Sequence, residues 1–252
     1  MKKNIGFLLL FVCATILLIK MANSGPEVQD EAYHNFADGR TIFLIPNFWN
    51  VFSNLPFLFV GLLGILHYRK YQSSNFLYYL FFFGILMVSF GSGYYHLNPN
   101  NETLVWDRLP MTIGFMSLFL IVIREFISIK ATRILSIPLL LSGIVSIIVW
   151  RFSNTEDLRM YLLVQFYPIL AIPIILIFFK SMYSKVRGYW VLLLAYIIAK
   201  VFERLDGETY ELLKIISGHS IKHLMAAAGI YVLLISYQRR TITKPEIETQ
   251  LT

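Results

Sequence analysis

Cysteine is nearly absent from this chain, with Cys13 the single example. That excludes an internal disulfide framework and any zinc knuckle built on thiolates. Charge is scarce as well. Asp, Glu, Lys and Arg make up 15% of 252 residues, against about a quarter in an ordinary soluble domain. Long stretches hold no charge at all, which argues against one or two soluble domains. No tandem repeat or low-complexity linker divides the chain. The formal net charge of +7 does not point to nucleic acid, because a basic excess in an apolar chain anchors loops at a membrane face.

What is abundant is hydrophobicity, at 57% of residues. A helix needs about 20 apolar residues to cross the hydrocarbon core, and helices satisfy their own backbone there. The apolar runs predict spans at Phe48–Leu66, Phe76–Tyr95, Leu109–Ile123, Ile134–Trp150, Met160–Phe179, Tyr189–Phe202 and His219–Tyr237. Pro168 and Pro173 predict a kink in the fifth of these. An earlier run, Ile5–Ile19, follows Lys2 and Lys3 and precedes Ala22-Asn23-Ser24, a pattern that suits a signal peptide or an uncleaved signal anchor. The expected fold is therefore all-α, a polytopic membrane bundle of seven transmembrane helices plus an N-terminal signal anchor or signal peptide. The expected organisation is residues 1–24 as that segment, 25–46 as an extracytoplasmic stretch, 47–240 as the membrane domain and 241–252 as a cytoplasmic tail.

Basic residues favour cytoplasmic loops. Arg69, Lys70, Lys130, Arg133, Lys180, Lys185, Arg239, Arg240 and Lys244 fall with Lys2 and Lys3 on one side of this scheme. The last loop of the other side, with Lys200, Arg204, Lys214 and Lys222, breaks the pattern. The carboxyl terminus is accordingly expected in the cytoplasm and Pro26–Asn47 outside. The short loops and signal-like start point to a bacterial cytoplasmic membrane.

Ionisable residues at membrane depth are costly and mark function. In FGSGYYHLNPNNETLVWDRLPMT, Phe90 to Thr112, Ser92 and His96 lie four apart and share a helical face. Asn98-Pro99-Asn100-Asn101 is a turn signal, after which Asp107 is expected to open the next helix, where a carboxylate suits the positive end of the dipole. His219 and His223 repeat the i, i+4 spacing, as in zinc helices of the H-E-x-x-H type. The topology brings both clusters to the outward ends of their helices.

Three neutral imidazoles with an open position make a catalytic zinc site, in which bound water reaches a pKa of about 7. Asp107 could take that water's proton and return it to a leaving amine, and Ser92 could donate to the water or to a developing oxyanion. A single helix-end histidine is more often an interfacial side chain, and i, i+4 pairs also arise by chance; the coincidence of depth favours the metal. His34 and His67 stand outside this set. Asn47, Asn50, Ser53 and Asn54 line the start of a span, either in a polar cavity or as helix-to-helix bonds. Glu203, Asp206 and Glu208 fall among solvated loop acids, with Glu203 also a candidate to orient a histidine.

The ordered blocks Gly91-Ser92-x-x-x-His96, Trp106-Asp107-x-Leu109-Pro110-Met111 and His219-x-x-x-His223, together with Phe48-Trp49-Asn50-Val51-Phe52-Ser53-Asn54, resemble the alkaline ceramidase family. Its wider superfamily includes adiponectin-type receptors and hydrolases that remodel lipid anchors. The resemblance implies that His96, His219 and His223 bind zinc, that Asp107 transfers protons and that Ser92 supports the water or oxyanion. It also implies the substrate, the amide of a ceramide, as a lipid partner within the bilayer. Eukaryotic members carry a calcium site that closes with a Glu just before the Phe-Trp-Asn block. Here that position is Asn47, and Asp38 is the one upstream acid that could match a ligand, which argues against calcium. The Tyr33–Arg40 segment is expected to pack over the outward end of the bundle, with Asp38 and Arg40 paired. A receptor-like or scaffold protein with a structural zinc, and a lipid esterase using the same chemistry, remain the other readings.

Overall fold

The computed structural model describes residues 1–71 and 75–243; the expected tail beyond residue 243, with Lys244, lies outside the described residues. The fold is all-α. Its helices are α1 (Lys2–Asn23), α2 (Phe48–Phe52), α3 (Leu55–His67), α4 (Phe76–Leu97), α5 (Asn101–Phe126), α6 (Ile129–Phe152), α7 (Arg159–Phe178), α8 (Arg187–Arg204), α9 (Asp206–Leu213) and α10 (Gly218–Arg239).

Seven helices of the described residues are long and apolar enough to cross a membrane: α1, the broken α2–α3 unit through Lys70, α4, α5, α6, α7 and α10. This count differs from the expected one at a single helix. The Tyr189–Phe202 run does form α8, and its 18 residues would reach about 27 Å. Arg187, Lys200, Glu203 and Arg204 lie at its two ends, with the apolar run between them. It packs antiparallel along α10 over its whole length: a Cβ on Gly218 would sit 2.2 Å from the Phe202 carbonyl oxygen at one end, one on Gly229 2.6 Å from that of Ala195 in the middle, and one on Gly188 2.3 Å from Ser236 Oγ at the other end.

Two local departures matter for the site. The span expected as Phe48–Leu66 is interrupted at Ser53 and Asn54. Pro56 has no N–H to give Phe52, so the ladder breaks there, and Asn54 Nδ2 donates instead to the Asn50 carbonyl at 2.8 Å. The break turns Ser53 towards α10. Secondly, Asp107 does not open its helix. Asn100 caps α5, accepting from the N–H groups of Glu102 and Thr103 at 2.9 Å each, while Thr103 Oγ1 accepts from the Asn100 N–H. The helix thus begins at Asn101, and Asp107 lies in its second turn, beyond the reach of the dipole end. Asp107 instead owes its position to close packing: a Cβ on Gly91 would stand 1.9 Å from the Trp106 carbonyl oxygen. Only a glycine lets α4 and α5 approach so closely, and the contact lies one residue from both Ser92 and Asp107.

Pro168 and Pro173 both lie inside the unbroken helix α7. Helix α1 lies against α7, with Gly6 pressed on Phe178 and Phe179, and Arg159 Nη1 donates to the Met21 carbonyl at 2.8 Å. At the far end of the bundle from the histidines, Arg240 pairs with Glu125 and donates from Nη2 to Tyr78 Oη at 2.8 Å. Tyr78 in turn donates to Glu125 at 2.6 Å. These groups are fully buried, and the isolated bridge Tyr183–Ile242 closes the chain over them.

Candidate metal centre

His96 comes from the last turn of α4, and His219 and His223 from the first turns of α10. Their ring centroids form a near-equilateral triangle: 4.9 Å for His96–His219, 5.1 Å for His96–His223 and 5.1 Å for His219–His223. One nitrogen from each lies within 4.8 Å of the other two, so a single ion could be held by all three. The imidazoles are buried, and neither His96 Nδ1 nor His219 Nε2 has a hydrogen-bond partner. Buried nitrogens without partners are expensive, and a shared cation would remove that cost. The donor set, all imidazole, suits zinc. The cluster excludes His34 and His67, as expected. His34 bonds Tyr95 Oη at 2.9 Å, and His67 bonds the Leu63 carbonyl on its own helix.

The third imidazole is oriented through its other nitrogen. Ser53 Oγ lies 2.8 Å from His223 Nδ1 and donates its own proton to the Asn50 carbonyl at 3.2 Å. A hydroxyl has one proton to give, so it must accept from Nδ1–H, which leaves Nε2 with a free lone pair. Around this pair, Ser220 Oγ donates to Asn50 Oδ1 at 2.7 Å and Asn50 Nδ2 to the Asp38 carbonyl at 3.1 Å. The polar residues at the start of the first core span therefore serve the imidazoles. Ser53→Ala should lower metal affinity about 10- to 100-fold, the usual effect of losing such a partner, as measured by competition with a chelator; unchanged affinity would remove Ser53 from this role.

The Tyr33–Arg40 segment lies over the cluster. Phe36 packs its ring edge-on to His96 at 4.7 Å and tilted against His219 at 4.5 Å, centroid to centroid. Asp206 joins the segment to α10, accepting from the Ala37 N–H at 2.9 Å and the His219 N–H at 2.6 Å. Asp38 and Arg40 form the expected pair, with Arg40 Nε and Nη2 each donating at 2.8 Å to a different carboxylate oxygen. That bonding raises the Arg40 guanidinium above its usual pKa. Asn47, in a left-handed conformation with φ 47°, donates from Nδ2 to the His96 carbonyl at 2.9 Å.

Beside the imidazoles lies a cavity of about 320 Å³. Ser92, Asp107, Arg108, Glu203, Lys222 and His223 line it, and Phe81, Ile85, Val88, Leu118, Ile172 and Ile230 line its apolar portion. Ser92 lies close to Asp107 on the cavity wall. The residues singled out from the sequence are thus brought together: three histidines in one cluster, with Ser92 and Asp107 on the wall that His223 shares. Glu203 does not orient a histidine. It takes the Lys222 ammonium at 2.8 Å and pairs with Lys200. Lys222 enters the sequence reading only as a loop cation, although an ionisable group between two histidines of a membrane helix is itself a signal. Asp206 gave no such sign.

An all-helical, multi-pass membrane bundle with three buried imidazoles beside a cavity of this kind is the architecture of a ceramidase-like hydrolase. The chain belongs to the ceramidase family: the family model described as Ceramidase matches residues 40–205. That stretch includes Ser92, His96 and Asp107, while His219 and His223 follow it. No curated protein matches the chain.

Proposed function

We propose that the protein is a zinc-dependent membrane amidohydrolase that cleaves the amide of ceramide, or of a related long-chain lipid, to a sphingoid base and a fatty acid. The observation that carries this reading is the meeting of three buried imidazoles with Asp107 and Ser92 at the polar end of an apolar cavity. His96, His219 and His223 would hold the metal, which supplies a Lewis acid and lowers the pKa of water to about 7.

The remaining chemistry falls to the chain. Asp107 accepts a proton from the attacking water as its oxygen adds to the amide carbon. Ser92 donates its one proton to the Asp107 carboxylate before attack and, once Asp107 has taken the water's proton, turns that hydroxyl to the oxyanion. When the carbon–nitrogen bond breaks, Asp107 returns the proton to the nitrogen, which leaves as a neutral amine. The apolar walls take the acyl chain and keep bulk water away. By the charge distribution of the loops, we place this end of the bundle on the outer side of a bacterial cytoplasmic membrane, with the carboxyl terminus in the cytoplasm and residues 1–24 as a signal peptide or anchor.

The test is metal analysis of the purified protein together with mass spectrometry of a lipid extract incubated with it. Zinc near one equivalent and paired release of fatty acid and long-chain amine are expected. Release of fatty acid with an alcohol instead would identify an esterase and refute amide cleavage.

A further inference from the structure

Arg108 follows Asp107 and lines the same cavity, yet nothing in the proposed reaction uses it. Its guanidinium is clamped between rings, 4.4 Å from the centroid of Trp150, 4.7 Å from Tyr161 and 5.6 Å from Tyr33. Gln29 Oε1 takes a hydrogen bond from Nη2 at 2.5 Å. The residue is 6% exposed, and Nη1 is buried without a partner. Among the described residues no carboxylate forms an ion pair with it, whereas in the same cavity Glu203 pairs with both Lys222 and Lys200; Asp107 acts on it only through space. A buried cation without a direct counter-ion is costly. A protein that spends three aromatic rings and a glutamine on fixing such a group has a rigid donor fork ready for an anion.

We propose that Arg108 is a headgroup subsite: it binds an anionic group, carboxylate or phosphate, on the amine half of the lipid amide, while the acyl chain occupies the apolar portion. This deepens the amidohydrolase reading and rests on it for the word substrate, though the binding itself does not require the metal. Because Asp107 and Arg108 line one cavity, a single lipid can meet both.

The probes are dodecyl phosphate and dodecanol, with affinities measured on the full chain in neutral-detergent micelles. The unaltered protein should bind the phosphate at least about tenfold more tightly. Arg108→Gln should weaken the phosphate about 10- to 100-fold, the loss expected for bonds to a charged group, and leave dodecanol unchanged. Should that variant fold poorly, Arg108→Lys serves, with a several-fold loss confined to the phosphate. Equal affinity for both probes in the unaltered protein, or an equal loss of both in either variant, overturns the proposal. Repeating the comparison in His219→Ala separates the two ideas. The Arg108-dependent preference should survive there even though the metal does not, so failure of the hydrolase reading leaves this result standing and the reverse also holds. Within the phosphate arm, substituting dodecanoate shows whether a carboxylate is equally recognised.

Discussion

Replacing His219 with Ala is expected to remove the metal and abolish turnover together. The triangle offers three nitrogens to one ion, and among the described residues no acidic side chain belongs to the cluster that could take the place of a lost imidazole. The expected loss is of the whole metal-dependent contribution. Metal content and fatty-acid release should fall to background in the same sample, while circular dichroism still reports the helices. The helix itself should persist, since Asp206 is held by the backbone N–H of residue 219 rather than by its ring. A zinc-replete variant with undiminished turnover would end the metal-centre reading.

Asp107→Asn should give the opposite split. The amide keeps the shape of the carboxylate but cannot accept a proton, so turnover should fall by about 10²- to 10⁴-fold, the usual share of general acid–base catalysis. Zinc content should stay the same, because Asp107 is not a member of the three-histidine cluster. Measured kcat and metal stoichiometry on one preparation decide this. Little change in kcat would favour a structural metal in a receptor-like protein, in which a carboxylate beside the site has no proton to move.

Much of this centre was legible in the amino-acid order, because it is written in helical spacing. Ser92 with His96, and His219 with His223, each sit four residues apart, and alternating spans carry both pairs to the same end. The strap over the cluster was partly legible too, through the Asp38–Arg40 pair. What escaped depends on contacts between segments distant in sequence. Asp206 bridges Ala37 and His219 across a loop, and no spacing rule announces that. Glu125 is a lone acid at the end of an apolar run, and its partner Arg240 lies 115 residues away. The start of α5 was misplaced because hydropathy was followed rather than the cap: Asn100 with Thr103 three residues on is the stronger boundary signal.

The covering of the imidazoles by Phe36 separates two kinds of traffic. His96 and His219 lie beneath that ring, while His223 borders the cavity. An ion leaving the cluster on that side would have to lift a strap tied down by Asp206 and by Asn50, whereas the apolar part of the cavity is lined by helix side chains away from the strap. Hydrophilic chelators should consequently strip the metal slowly from a protein that still exchanges lipids freely, and loading should be easiest before the strap is laid during folding.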